Sequence, residues 1–274
     1  MNITQLFVFP IKSCRGIAMP ALQVQGCGAE WDRRWMLVDE DGVFLSQRQL
    51  ARMTLIQTVL DGDGLRVSLS SVDGAPSLSS VGFSKADFAS SSRIRVRVWR
   101  DTCEALVGPD WLNDWFSSAL ARSCRIVWMD EQLQRPVNPE YAGKGETVSF
   151  ADGFPYLMAN TASVQDLNRH LSQGIDVERF RPNLVVGGQV PWEEDHWWGI
   201  EVGTVRFQLV KPSSRCVIPS IDPETGIKQP EVFKTLQQQR KGEDGQVYFG
   251  HNLLPLNSGQ IRVGDPVQVI GPEV

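Results

Sequence analysis

Residues 93–98 alternate strictly between arginine and apolar side chains, and this pattern constrains the fold most strongly. A period of two predicts a β-strand with one buried face, to which Ile94, Val96 and Val98 would point. The three arginines would then share the opposite face, which we interpret as solvated surface. A chain that contains such a strand needs a sheet with one face turned to a core.

Other segments repeat the features of strands and turns. Two hairpins are predicted, with Asp-Glu-Asp-Gly at 39–42 and Asp-Gly-Asp-Gly at 61–64 as their turns. Further strands are predicted at 4–9, 125–129, 183–186, 200–202, 205–210, 247–249 and 261–270. Residues 70–92 and 131–147 are predicted to be loops. Helices are predicted at 110–121, at 161–171 with Thr161 or Ser163 as cap, and at 230–239. These elements predict an α+β, mostly β fold with a closed or barrel-like sheet and few peripheral helices.

Composition excludes several classes of protein. The 274 residues suffice for one large or two small domains, and the net charge of −5 disfavours a large nucleic-acid footprint. The five cysteines lack a Cys-x-x-Cys pair, which disfavours a disulfide framework or a zinc ribbon. We see neither a signal peptide nor an apolar run of about 18 residues, so we expect no membrane segment and a cytoplasmic location.

Cys216 is the side chain with the clearest chemical potential. It directly follows Arg215, and Lys211 precedes it by five residues, on a predicted loop just after a strand. Positive charge beside a thiol favours the thiolate, which ligates metals and attacks electrophiles. A free cysteine is also commonly a small buried hydrophobe. The local sequence alone leaves both interpretations open.

Four other polar groups stand at predicted strand ends or helix starts. Lysine and arginine at such places suit phosphate, and hydroxyl and N–H groups at a helix start are further anion donors. Asparagine offers a paired donor and acceptor for the edge of a heterocycle. If they converge with a thiolate, they suit a phosphorylated, heterocyclic, metal-bearing cofactor, whereas each alone also fits a surface salt bridge or turn. The groups are Lys12-Ser13, Arg33, Asn160-Thr161 and Arg181 with Asn183.

The order and spacing of these motifs resemble those of MOSC-domain proteins with a MOSC N-terminal β-barrel domain in front, and of amidoxime-reducing members in particular. The resemblance covers nearly the whole chain. It implies an N-terminal β-barrel-like domain over 1–125, packed with a β-barrel MOSC domain over 126–274. The motifs that carry it are Pro10–Gly16, Asp32–Trp35, Ser46–Gln49, Arg179–Asn183, Ser214–Cys216, Asp222–Gly226 and Val263–Val267.

The resemblance implies a molybdenum enzyme that carries a molybdopterin cofactor, with Cys216 as the protein ligand to molybdenum. The implied reaction is the two-electron reduction of N-hydroxylated compounds, such as amidoximes, hydroxylamines and N-hydroxylated base analogues. Asp222 is a candidate proton donor, and Arg48 matches a family motif without a clear role. Residues 131–147 and 192–198 are candidates for the pocket rim. The residues implied to hold phosphate and pterin are Lys12, Ser13, Arg33, Asn160, Thr161, Arg181, Asn183, Ser214 and Arg215.

The resemblance also bears on partners. Some bacterial relatives add a [2Fe–2S] domain whose cysteine spacing is not found here, so we expect a separate electron donor, a reductase with a ferredoxin, haem or flavin carrier. A small-molecule N-hydroxylated substrate is expected, with no nucleic acid and no membrane. Two alternatives stay open. MOSC domains also serve in sulfur transfer, where Cys216 would carry a persulfide, and an interaction protein would simply bury Cys216.

Overall fold

The computed structural model describes residues 1–70, 78–133, 135–143 and 145–272. This part of the chain is mostly β, with three α-helices beside the strands. The strands are β1 Ile3–Val8, β2 Ile17–Ala18, β3 Ala21–Gln25, β4 Gly28–Ala29, β5 Trp35–Val38, β6 Ile56–Asp61, β7 Gly64–Leu69, β8 Val81–Ser84, β9 Arg93–Val98, β10 Asp101–Val107, β11 Arg125–Trp128, β12 Tyr156–Asn160, β13 Leu184–Val186, β14 Gly199–Val202, β15 Val205–Ser214, β16 Tyr248–Pro255, β17 Gly259–Arg262 and β18 Val267–Ile270. The α-helices are α1 Asp110–Leu120, α2 Thr161–Asn168 and α3 Pro230–Arg240.

The predicted α+β, mostly β fold class is confirmed, and so are its main elements. The alternating segment forms β9, where Val96 and Val98 are buried and Ile94 is partly buried against the same core. β6 and β7 form the second predicted hairpin, and all three predicted helices are present. Short 3-10 helices add to these at Ala51–Leu55, Lys85–Phe88, Val177–Phe180, Glu193–His196 and Ile218–Ser220.

Three local predictions differ from the structure. The first predicted hairpin is incomplete, because Val43 and Phe44 divide their bridges between β9 and β5. The predicted strand over 261–270 is two strands, β17 and β18, because the chain turns at Gly264, which has a positive φ of 93°. Part of the predicted loop over 70–92 forms β8 and a 3-10 helix, and residues 71–77 of it lie outside the described residues.

The two halves of the chain share their sheets. The largest sheet runs β18-β14-β15-β16-β12-β13-β1-β2, so the first strand of the chain joins strands of the second half. β1 pairs antiparallel with β13, and β3 pairs antiparallel with β17. β11, in turn, lies between β5 and β10 of the first half. Strand pairing therefore crosses the boundary predicted at residue 125 in both directions.

Each half has its own apolar core. Ile3 and Leu6 of β1 are buried with Ile200, Phe207 and Leu253 from the second half. The first half gathers a separate core around aromatic side chains, which include Trp35, Phe83, Phe88 and Phe116. Because β1 belongs to the second core while the chain after it enters the first, the loop that follows β1 lies between the two. None of the described helices is long and apolar enough to cross a membrane.

A substitution of Tyr156 tests the contact between β12 of the second half and β3 of the first. Its hydroxyl on β12 accepts a hydrogen bond from the Gln25 amide on β3 and donates one to the Gln25 carbonyl, both at 2.9 Å. Tyr156→Phe leaves two backbone groups without their partner, so we expect the free energy of unfolding to fall by about 1–3 kcal/mol. Denaturant unfolding measures the change.

The matched control is Tyr248→Phe. The Tyr248 hydroxyl bonds the exposed carboxylate of Asp244, so its loss should change the free energy of unfolding by less than about 0.5 kcal/mol. Equal effects of the two substitutions would contradict the role assigned to Tyr156.

Candidate functional site

A cleft lies where the loop after β1 meets strand ends of the second half. It has about 860 Å³ of empty space, a volume that includes open solvent at its mouth. Most of the residues that the sequence singled out converge on it. The predicted residues that line the cleft are Lys12, Ser13, Arg33, Arg181, Asn183, Ser214, Arg215 and Cys216.

The cleft is strongly cationic, although the whole chain has a net charge of −5. Among the described residues that line it, the one carboxylate is that of Asp152. Positive charge concentrated in a concave site attracts anions and raises their local concentration. The six cationic residues are Lys12, Arg33, Arg48, Arg179, Arg181 and Arg215.

Left-handed backbone is concentrated at this cleft. Ser13, Arg33 and Arg181 have φ values of 68°, 49° and 57°, and Trp99 on the cleft wall has 59°. Non-glycine residues rarely adopt positive φ, and each such residue costs about 1–3 kcal/mol. Strain of this kind persists where the surrounding structure enforces it, as is common at functional sites.

The Phe9 ring makes cation–π contacts with two of the guanidinium groups. The Arg33 guanidinium lies 4.4 Å from the centre of the Phe9 ring and the Arg181 guanidinium 4.2 Å from it. Arg33 Nη1 also donates to both oxygens of the buried Asp32, at 2.8 and 2.7 Å, and Asp32 Oδ1 accepts the Phe9 amide at 2.8 Å. Arg181 donates to the Cys14 carbonyl at 2.7 Å. The aromatic ring and one buried carboxylate thus hold two like charges close together.

Two buried guanidinium nitrogens at the cleft have no hydrogen-bond acceptor among the described residues. Burial, helped by the charge of Arg33, lowers the pKa of Arg181 to about 10, and burial lowers the pKa of Arg215 to about 10. Arg215 Nε donates to the Phe249 carbonyl at 2.9 Å. The Nη2 atoms of both Arg181 and Arg215 are buried without a hydrogen-bond partner among the described residues. Such groups are costly unless a ligand or water satisfies them.

Lys12 is fixed by the segment that precedes β12. Its Nζ donates to the Phe150 carbonyl at 2.7 Å and to the Asp152 carboxylate. Burial lowers the pKa of Lys12 to about 8, although the charge of Asp152 and its hydrogen bond raise it. Lys12 therefore stays charged at neutral pH and loses its charge within an accessible range of pH.

Arg135 holds this segment by hydrogen bonds to its backbone, and no sequence motif indicated this role. Its side chain is almost fully buried, and it donates to the carbonyls of Ser149, Ala151 and Asp152 and to the Asp101 carboxylate. Arg135 stands alone in a polar segment that the sequence predicted to be a loop. Its role depends on a chain path that local patterns do not specify.

Cys216 lies just beyond β15, before the 3-10 helix Ile218–Ser220, and its side chain is half-buried. It is the one sulfur among the described residues that line the cleft. Asn183 lines the cleft as well, but its amide is largely committed to the backbone: Oδ1 accepts the Leu157 amide at 3.2 Å and Nδ2 donates to the Phe7 carbonyl at 3.3 Å. Asn183 therefore shapes the cleft more than it offers free donors.

Three predicted site residues do not line this cleft. Asn160, rather than Thr161 or Ser163, caps α2, because its Oδ1 accepts the Ala162 amide at 3.0 Å. Its Nδ2 donates to the buried carboxylate of Glu194 at 2.8 Å, and Thr161 is simply the first residue of the helix.

Asp222 stabilises a turn. Its carboxylate accepts the amides of Glu224 and Thr225 at 2.9 and 3.0 Å and pairs with Arg179 at 2.8 Å. Burial raises the pKa of Asp222, but these partners outweigh burial and hold it below the usual value. A carboxylate in this state is a poor proton donor near neutral pH.

The described part of the predicted rim lies elsewhere. None of the described residues of 131–147 or 192–198 lines the cleft, and Lys144 and Gln134 lie outside the described residues. Trp192 makes its contacts outside the cleft. Its Nε1 donates to Asp166 at 2.9 Å, and its ring packs against Phe249. Aromatic and cationic residues of the first half form the wall instead, together with residues 151–154.

Comparisons with known proteins identify two domains. The MOSC N-terminal beta barrel domain matches residues 1–123, and the MOSC domain matches residues 145–268. Mitochondrial amidoxime-reducing component 1 of Mus musculus is 29% identical, over 98% of this chain and 82% of its own length. Molybdenum cofactor sulfurase of Drosophila grimshawi is 30% identical over 98% of this chain, but the chain spans only 34% of that protein. The Homo sapiens sulfurase is 29% identical over 93% of this chain, which spans 30% of its length.

The titration of Lys12 predicts how anion binding depends on pH. Sulfate keeps its charge across this range, so its affinity should follow the protonated fraction of Lys12. With a folded-state pKa of about 8, affinity should be highest below pH 7 and fall by up to about tenfold between pH 7 and pH 9. Isothermal titration calorimetry measures the profile.

Substitutions separate Lys12 from the other cations. Lys12→Gln should flatten the profile at low affinity, whereas Lys12→Arg should keep affinity high at pH 9, because arginine stays charged. Lys85→Gln, outside the cleft beside Trp31, is the control and should leave the profile unchanged. A profile that keeps its fall in Lys12→Gln would refute the assignment.

Proposed function

The chain belongs to the family in which a MOSC N-terminal β-barrel domain precedes a MOSC domain, and from this premise we propose that it is a molybdenum-cofactor-dependent oxidoreductase. Its substrates would be N-hydroxylated small molecules, such as amidoximes, hydroxylamines and N-hydroxylated base analogues. Cys216 would be the protein ligand to molybdenum. One observation carries the proposal. Among the described residues that line the cleft, one thiol lies with six cationic side chains, and two of these have buried N–H groups without a described partner.

The residues of the cleft fit such a cofactor. A thiolate suits molybdenum in a site whose other donors are the sulfurs of a pterin dithiolene. The phosphate would be held by Lys12, Arg181 and Arg215. The buried Nη2 atoms of the two arginines have no acceptor among the described residues and would donate to it. Ser13, Arg33, Asn183 and Ser214 would complete the binding surface. We leave Asn160 and Thr161 out of this set, because the cap of α2 already uses the Asn160 side chain.

The bound cofactor would supply the two electrons that reduce an N–O bond. The chain itself binds and orients. Asp32 and Phe9 hold Arg33 and Arg181 in place before any ligand arrives, which lowers the cost of ordering on binding. Lys12 holds a proton on Nζ at neutral pH, between Asp152 and the open cleft. Asp222 is paired with Arg179, and we assign it to the turn.

Sulfur transfer is the second candidate function, with a persulfide on Cys216. It is supported by the resemblance to molybdenum cofactor sulfurases and by a half-buried thiol beside a cationic side chain. This chain spans 82% of the amidoxime-reducing relative and 34% of the sulfurase from Drosophila grimshawi. In the reductase, electrons would come from a separate protein, a reductase with a ferredoxin, haem or flavin carrier. A cytoplasmic location remains a prediction.

The proposal predicts that the molybdenum content of the protein depends on Cys216. Protein made in a host that synthesises the cofactor should contain close to one molybdenum per chain by mass spectrometry, and should reduce an aromatic amidoxime with a chemical electron donor. Cys216→Ala removes the proposed ligand, so activity should fall by at least about a hundredfold, with loss or weaker retention of metal.

Cys103→Ala is the matched control, a half-buried cysteine on β10 whose thiol pKa is raised to about 11 by burial. It should retain both metal and activity. Wild-type protein without molybdenum, or Cys216→Ala with full activity, would overturn the reductase. A persulfide on Cys216, found by mass spectrometry in protein that lacks pterin, would establish sulfur transfer in its place.

A further inference from the structure

Trp99 occupies a backbone position that tryptophan rarely adopts. It lies in the tight turn between β9 and β10, where Val98 pairs with Asp101, and its φ is 59°. Turns of this kind favour glycine, asparagine or aspartate, and a bulky residue there is an outlier. Trp99 is also 40% exposed, so much of its apolar surface contributes no burial energy to folding. An exposed aromatic side chain on a strained backbone destabilises the fold. Because this one lies at the wall of a cleft, we infer that its ring has a function.

The ring is fixed on three sides. Trp99 Nε1 donates to Asp152 Oδ1 at 3.0 Å, the same oxygen that accepts Lys12. Phe44 packs against the indole with ring centres 5.0 Å apart. The guanidinium of Arg48 lies over the ring, 4.2 Å from its centre. The indole is therefore held in place by its neighbours, and a guanidinium lies over its ring.

Arg48 differs from the other cations of the cleft. Arg33, Arg179 and Arg215 each donate to a carboxylate or a carbonyl, whereas Arg48 makes no hydrogen bond or ion pair with any described residue. Its guanidinium is half-exposed and comes from the first half of the chain, beside the exposed Trp99. Its N–H donors at the cleft wall thus have no acceptor among the described residues.

We propose that Arg48, whose guanidinium lies over the Trp99 ring, is a carboxylate subsite that selects planar substrates with an acidic group. This inference rests on the proposed function, and it names the substrate class as aromatic or heteroaromatic N-hydroxylated compounds that carry a carboxylate. A guanidinium fork matches a carboxylate bidentately, and stacking fixes its orientation beforehand. Trp99 is a positioning residue, and its exposed edge contacts the plane of the substrate.

Binding tests the subsite without any cofactor. We expect Arg48→Gln to weaken the binding of benzoate, measured by calorimetry, at least about tenfold, but that of sulfate less than about threefold. Arg215→Gln should do the reverse, because sulfate depends on the buried donors. Trp99→Asn suits the left-handed turn, so it should fold, yet it should weaken benzoate as Arg48→Gln does. Arg97→Gln, exposed on β9 outside the cleft, is the control and should change neither affinity.

Kinetics of the metal-loaded protein complete the test. For 4-carboxybenzamidoxime against benzamidoxime, the ratio of kcat/KM values should fall at least about tenfold in Arg48→Gln, and Arg48→Lys should restore it only in part. An unchanged ratio, or equal effects on benzoate and sulfate, would overturn the subsite. So would loss of molybdenum from Arg48→Gln, which would place Arg48 in the cofactor site. If wild type reduces neither compound, the proposed function fails, while the benzoate titrations still decide the subsite.

Discussion

Repulsion among cations is the constraint on which the rest of this structure depends. Six positively charged side chains line one cleft, and partial burial deprives several of them of water. Like charges in such a place destabilise the folded state unless counter-charges and π-systems offset them. Asp32 and Phe9 do so for Arg33 and Arg181, and Asp152 does so for Lys12. Among the described residues, the buried Nη2 atoms of Arg181 and Arg215 have no acceptor, so these two donors are available to an anionic ligand.

The shared sheets explain how these groups meet. β1 is built into the sheet of the second half, whereas the chain that follows it enters the first half. Lys12 and Ser13 lie in this crossing, close to residues brought by the strand ends around β13 and β15. Trp99 and Arg48 reach the same cleft from the first half. Residues from both domains that the family comparison separates thus line the one cleft.

Local patterns predicted β9, the three helices and the loop position of Cys216, because alternation, helix caps and prolines act over a few residues. Motif resemblance brought together Lys12, Arg33, Arg181 and Cys216, which no periodicity relates. Sequence did not predict the exchange of β1 and β3 between halves, since pairing with β13 and β17 depends on distant partners. It also missed Arg135 and Asp152, whose roles arise from buried carbonyls and a shared oxygen. Asn160 misled because an asparagine at a helix start serves a cap as readily as a ligand.

Anomalous X-ray scattering at the molybdenum edge tests the central claim most directly. Crystals of protein from a host that makes the cofactor should show one molybdenum peak at bonding distance from the Cys216 sulfur, with the phosphate on the free nitrogens of Arg181 and Arg215. A molybdenum peak elsewhere in the protein would contradict this assignment. So would a pterin bound with the Cys216 sulfur turned away from the metal.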